Sequence, residues 1–223
     1  MTVTAMTLAT RTRAVTDRLP QEDDMSVTAL PLEATQRRGP PRPTIKVAPN
    51  GVVGMLIFIT SELMLFAGLV SAIAIVRARS GDWPPSHLPQ LPAAETAANT
   101  LALLASGALL YWAGRKFLED PRTALLPMRI GIALGVFFVA FQGVEWVTLL
   151  GQGLTMTSSA AGAFFYLVVG LHGLHALGAI SAMVWAERRL SAGRLSHTEF
   201  WTARLFWYFV VLVWPILYWR LYL

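Results

Sequence analysis

The chain contains no cysteine. Disulfides, thiolate-held iron–sulfur clusters, a cysteine–imidazole copper centre and CxxCH haem attachment are therefore excluded. Charge is also scarce, at 14% of 223 residues, well below the usage of an average soluble domain. Histidine is limited to four positions. His172 and His175 stand three apart, on one face of one helix, while His87 and His197 fall in expected loops. That inventory lacks two imidazoles facing each other from different helices, as a bis-histidine haem requires. Glu62, Glu145 and His172 form a chemically allowed metal set, but nothing in their spacing demands one. The expectation is a chain with no metal, cofactor or redox centre of its own.

What is abundant is apolar sequence. Hydrophobic residues make up 55% of the chain and the mean hydropathy is +0.52, the composition of an integral membrane protein. Five apolar runs, about 51–76, 97–114, 127–150, 160–185 and 200–221, each approach the roughly 20 residues needed to cross a bilayer. The second is the weakest, short and rich in alanine. The expected fold is all-α: a polytopic membrane bundle of five transmembrane helices.

The net charge of +5 reads as topology, with no sign of nucleic-acid binding. Arg37, Arg38, Arg42 and Lys46 precede the first run. Arg115, Lys116, Arg122 and Arg129 fall around the second connection, and Arg188, Arg189, Arg194 and Arg204 around the fourth. Only Arg77, Arg79 and Arg220 lie on the other side, and the uncharged loop 151–159 joins them. By the positive-inside rule the N-terminus is inside and the C-terminus outside. Trp83, Trp112, Trp185 and Trp219 fall near span ends, where amphipathic rings favour the headgroup level.

Residues 1–50 differ in kind. They are rich in Thr, Pro and Arg and hold no aromatic residue, so they cannot build a core and are expected to form a disordered cytoplasmic tail. Three Arg and one acid in the first 20 residues weakly suggest a transit peptide. Met25 offers an alternative start.

Within the spans lie Glu62, Gln142, Glu145, His172 and His175. A charged residue at the bilayer centre costs roughly 2.5–3.5 kcal/mol on insertion scales and faces protein or water. Glu62 is thus an acid hydrogen-bonded to a neighbouring helix or subunit, a proton relay, or a modulator of lipid contact. The histidines read first as interhelical hydrogen-bonders, and Gln142 likewise. Glu145 beside Trp146 lies nearer the outer surface. Counted from the run ends, Glu62 and His172 share mid-depth, so a contact between them is expected. Gly131 and Gly135 form GxxxG, and Gly162, Gly170, Gly173 and Gly178 punctuate the fourth run. These permit close helix approach, within the chain or against another subunit.

In order along the chain stand SELMLFAG (Ser61–Gly68), WPP (Trp83–Pro85), NTLALLASG (Asn99–Gly107), FQGVEW (Phe141–Trp146), GLHGLHALG (Gly170–Gly178) and FWYFVVLVW (Phe206–Trp214). Together these segments resemble subunit III of the haem–copper terminal oxidases over nearly all of residues 51–223. The likeness is to the five-span form of bacterial quinol oxidases and of proteins that accompany nitric oxide reductases. One departure stands in the last helix, where Tyr208 and Val211 replace a family histidine and aspartate.

The resemblance implies an accessory subunit without haem or copper, in a multi-pass arrangement in a bacterial inner membrane. Its implied partners are membrane lipids, the catalytic subunit I and subunit II. Its implied role is support of assembly, stability and proton uptake in aerobic electron transport and proton translocation. Glu62 matches the family's buried glutamate, with Glu145, His172 and His175 completing a polar interior. A nitric-oxide-reductase-associated protein, a small standalone transporter using Glu62, His172 and His175 as a relay, and an assembly factor are the rival readings.

Overall fold

The computed structural model describes residues 49–79 and 91–222. They belong to the second of the two units into which the chain divides, Ile45–Leu223. Residues 1–48 of the expected tail, with its transit-peptide signal and Met25, lie outside the described residues, as do Trp83, the WPP segment and His87, while Asn50 of the expected tail is the first residue of α1.

Five helices are long and apolar enough to cross a membrane. They are α1 (Asn50–Arg79), α2 (Ala93–Glu119), α3 (Leu125–Gly151), α4 (Ala160–Ser191) and α5 (His197–Tyr222). The described residues contain no strand. Each helix outruns its apolar run, because helical hydrogen bonding continues into the polar flanks where the apolar pattern has ended. A single 3-10 turn, Pro121–Ala124, joins α2 to α3, with the Asp120 side chain accepting from the Arg122 N–H. Ser159 caps α4 by accepting from Gly162 N–H at 3.0 Å. Gly193, at φ +66°, ends α4 in the left-handed region that suits glycine. Ser196 and Glu199 then start α5 as a reciprocal capping box, at 2.8 and 3.2 Å.

Helix α5 is the centre of the bundle and packs against α1, α2 and α4, while α3 closes the far side against α2 and α4. Trp207 and Trp214 of α5 are its largest fully buried side chains. Helix α1 is peripheral, with Phe66 and Ile73 as its buried residues. Aromatic contacts fix its direction: Phe58 meets Phe206 and Phe66 meets Phe209, so α1 runs parallel to α5.

The weak apolar signal of α2 has a structural cause. Its Thr96, Asn99, Thr100 and Ser106 are buried and spend their polar atoms across helices. Ser106 donates to the Gly131 carbonyl at 2.7 Å, Asn99 to the Phe138 carbonyl at 3.1 Å, and Trp214 Nε1 to Thr100 Oγ1 at 2.9 Å. Without water, such bonds and close packing hold helices together. The glycines provide the close packing: Gly131 faces Leu110 and Ser106, and Gly135 lies under the Trp207 indole. The GxxxG is therefore used inside this chain.

Candidate functional site

Glu62 projects from α1 toward α4. Its Oε2 lies 3.1 Å from Nε2 of His175, an ion-pair distance without hydrogen-bond alignment. His175 Nδ1 lies 2.8 Å from the Leu171 carbonyl oxygen. A carbonyl only accepts, so Nδ1 carries a proton. Phe66 and Phe209 flank the imidazole edge-on, with ring centroids at 5.6 and 5.7 Å. The Glu62 side chain remains 18% exposed on the bundle surface.

The expected partner was His172, and the structure assigns His175 instead. Helix α4 extends to Ser191, six residues beyond the apolar run. That moves its midpoint three residues, or about 4.5 Å, toward its C-terminus, which is where His175 stands. His172 turns inward, with its ring 5.0 Å from that of Trp214. Only 1% of it is exposed, and neither ring nitrogen has a partner among the described residues. It lines a cavity of about 260 Å³ shared by Phe138, Trp146, Gly170, Gly173 and Trp214.

Glu145 belongs to a second, separate cluster. Its Oε1 accepts from the Tyr222 hydroxyl at 2.6 Å and its Oε2 from the Thr96 hydroxyl at 2.8 Å. Gln142 Nε2 donates to the same Tyr222 oxygen at 3.1 Å. Glu145 is 6% exposed and knots α2, α3 and α5 together. Tyr218 reinforces the knot by donating to the Ala93 carbonyl at 2.9 Å. Among the described residues, no three of His, Asp and Glu gather as a metal-binding group would require.

The structure thus brings Glu62 to His175 and keeps both apart from Glu145. Three participants were not singled out from the sequence. Thr96 begins a polar stripe at helical spacing (Thr96, Asn99, Thr100, Ser106), a signal that periodicity could have revealed. Tyr222 lies just past the last apolar run and carries no comparable signal. Arg204, expected as a flanking charge, is 5% exposed inside α5. His197, expected in a loop, is the first residue of α5 and packs edge-on against Phe117 at 5.0 Å.

Residues 41–223 match the sequence profile of the family described as "Cytochrome c oxidase subunit III". Over 184 residues the chain is 34% identical to the "Probable cytochrome c oxidase subunit 3" of Mycobacterium leprae, covering 78% of this chain and 88% of that one. The protein of the same description from Nocardia farcinica is 34% identical over 182 residues, with 78% and 88% covered. The "Cytochrome c oxidase subunit 3" of Pongo abelii is 34% identical over 189 residues, covering 80% and 71%.

Proposed function

Because this chain belongs to the cytochrome c oxidase subunit III family, we propose that it is an accessory subunit of a bacterial respiratory haem–copper oxidase. Membership places it in a complex with other oxidase subunits as a multi-pass membrane protein. In the proposed role it docks on the catalytic subunit I, which reduces dioxygen, beside subunit II in the inner membrane. It carries no electrons itself. It sustains the assembly and stability of the catalytic subunit and keeps proton uptake competent through turnover.

The observation that carries this reading is the approach of the Glu62 carboxyl to the His175 imidazole at 3.1 Å. A glutamate still partly open at the bundle surface, held by an imidazole on the next helix, can pass or buffer a proton without a net charge entering lipid. The relatives' printed names support cytochrome c as electron donor and oxygen as the partner's substrate.

Turnover endurance tests the proposal. In the purified complex, Glu62→Ala is expected to shorten the lifetime of oxygen reduction more than it lowers the initial rate. Wild-type endurance in that variant would overturn the role of Glu62. Gentle extraction tests the accessory role: a haem-bearing large subunit is expected to co-purify, and a haem-free homo-oligomer would overturn it.

A further inference from the structure

Glu145 is a buried carboxyl with no cation to answer it. Among the described residues, no Lys, Arg or His lies within ion-pair distance of it, and it takes no part in the Glu62–His175 pair. Its partners are hydroxyls, Tyr222 on Oε1 at 2.6 Å and Thr96 on Oε2 at 2.8 Å. The Thr96 hydroxyl faces a second acceptor, the Pro92 carbonyl oxygen at 2.9 Å. It has one hydrogen for the two. The Pro92 carbonyl does not depend on that hydrogen, because it also accepts from the Thr96 N–H at 3.1 Å.

Two arrangements of hydrogens therefore satisfy every group. With Glu145 as a carboxylate, the Thr96 hydroxyl donates to Oε2. With Glu145 as a carboxylic acid, Oε2 donates to Thr96 Oγ1, and the hydroxyl hydrogen turns to the Pro92 carbonyl. In both, Tyr222 donates to Oε1 and Gln142 Nε2 donates to the Tyr222 oxygen. No heavy atom moves between the two arrangements, and neither leaves a buried donor or acceptor stranded.

The carboxyl also has a way out. It lines a cavity of about 330 Å³ together with Glu95, Thr148 and Gln152, three polar residues that are exposed. Glu95 lies in the first turn of α2, and Gln152 follows the last residue of α3. The polar lip of the cavity is thus at the end of the bundle, where the helices meet water. Glu145 stands six residues inside α3, about 9 Å along its axis. The titratable groups that face it are few: Glu95 from α2, and Tyr222 and Tyr218 from α5. Helix α3 adds the uncharged Gln142, Thr148 and Gln152, and α4 packs on Tyr222 through Phe165. Arg220 is exposed and lies over the Trp219 ring at 5.1 Å.

We propose that Glu145 is a reversible proton-binding site, exchanging its proton with water through the cavity that Glu95 overlooks. The proton leaves a hydronium at the lip, bonds to Oε2 and is held by Thr96 Oγ1, while the Thr96 hydrogen turns to Pro92. Release runs the same steps backward and returns the proton to water. The exposed Glu95 carboxylate raises the proton concentration at the entrance. Thr96 is a positioning residue, the rotor that fits the network to either state. The site stands apart from Glu62 and His175, which belong to α1 and α4.

Infrared spectra of the full-length chain, with whatever subunits accompany it, are recorded in vesicles as the pH is lowered. The wild type is expected to gain a carboxylic-acid C=O band and lose a carboxylate band, reversibly, and the acid band is expected to shift down in D2O. Glu145→Gln is expected to lack this pair of bands, whereas Glu62→Gln keeps it. A difference between wild type and Glu145→Gln without a pH-dependent band would overturn the proposal, since the carboxyl would be locked in one state. So would an acid band indifferent to D2O, since the cavity would be closed to water. Thr96 carries the test if Glu145→Gln does not fold. Thr96→Val removes a bond from both states, and the bond to the carboxylate is the stronger. Half-protonation is therefore expected at about tenfold lower proton concentration in that variant. Thr96→Ser keeps the rotor and is expected to titrate as the wild type does. Equal midpoints in the valine and serine variants would overturn the two-state network.

Discussion

Glu62 Oε2 and His175 Nε2 face each other across a 3.1 Å gap between α1 and α4. Helix α1 buries little else against the bundle, so this pair is a large share of what fixes its rotation. The two substitutions at Glu62 should therefore separate. Glu62→Gln keeps a donor toward the imidazole and is expected to leave stability within about 0.5 kcal/mol. Glu62→Ala strands Nε2 and is expected to cost about 1–2 kcal/mol, the upper range for polar contacts between membrane helices. Unfolding in mixed micelles measures both, and equal losses would show that a polar partner for the imidazole has no structural value.

His172 makes a contrasting prediction. It is fully buried with both nitrogens unpartnered among the described residues, and it lies against Trp214 and an apolar cavity of about 260 Å³. An unsatisfied polar group exchanged for an apolar one of similar size is near neutral or stabilising. His172→Leu is expected to unfold at or above the wild-type temperature. A fall of several degrees would reveal a partner for the ring beyond the described residues.

The Tyr222 hydroxyl holds Glu145 Oε1 at 2.6 Å and accepts from Gln142. Tyr222→Phe removes both bonds and leaves the carboxyl with Thr96 alone. The expected cost is about 1–2 kcal/mol, since the lost bond is short and to a carboxyl. Hydrogen exchange should report it as earlier opening of the last turn of α5 and the first turn of α2, with α1 unaffected. Uniform loosening of all five helices would contradict the separation of the two clusters.

The five spans were legible because hydrophobic length is a one-dimensional property, and the lipid solvent fixes it. The partner of Glu62 was not, because pairing depends on where helices end. Helix α4 runs on to Ser191, six residues past its apolar run, and that moves the depth count by three residues. Arg204 was misplaced for a related reason. A lone arginine near a span end reads as a topology signal, and only its seat over Gly114 of α2 shows that it is buried. Polar partners such as Thr96 and Tyr222 stand 126 residues apart in the sequence, so no local pattern joins them.

Gly135 tests whether the seat that α3 offers the Trp207 indole sets the bundle. A Cβ there would meet the far edge of the Trp207 indole, which is buried and whose Nε1 has no partner among the described residues. The ring has no free space to yield into, so Gly135→Ala must push α3 outward or force Trp207 off its rotamer. Overpacking of this kind costs about 1–3 kcal/mol. Gly143, one helix face away with nothing within 4 Å of a Cβ, is the control: alanine there gains helix propensity and should be neutral or stabilising. The pair Gly135→Ala with Trp207→Leu removes the obstructing ring. It is expected to lose less than the sum of the single substitutions, a coupling measurable by a double-mutant cycle. Strict additivity would mean that α3 and α5 are not in contact at this level and that the glycine serves another surface.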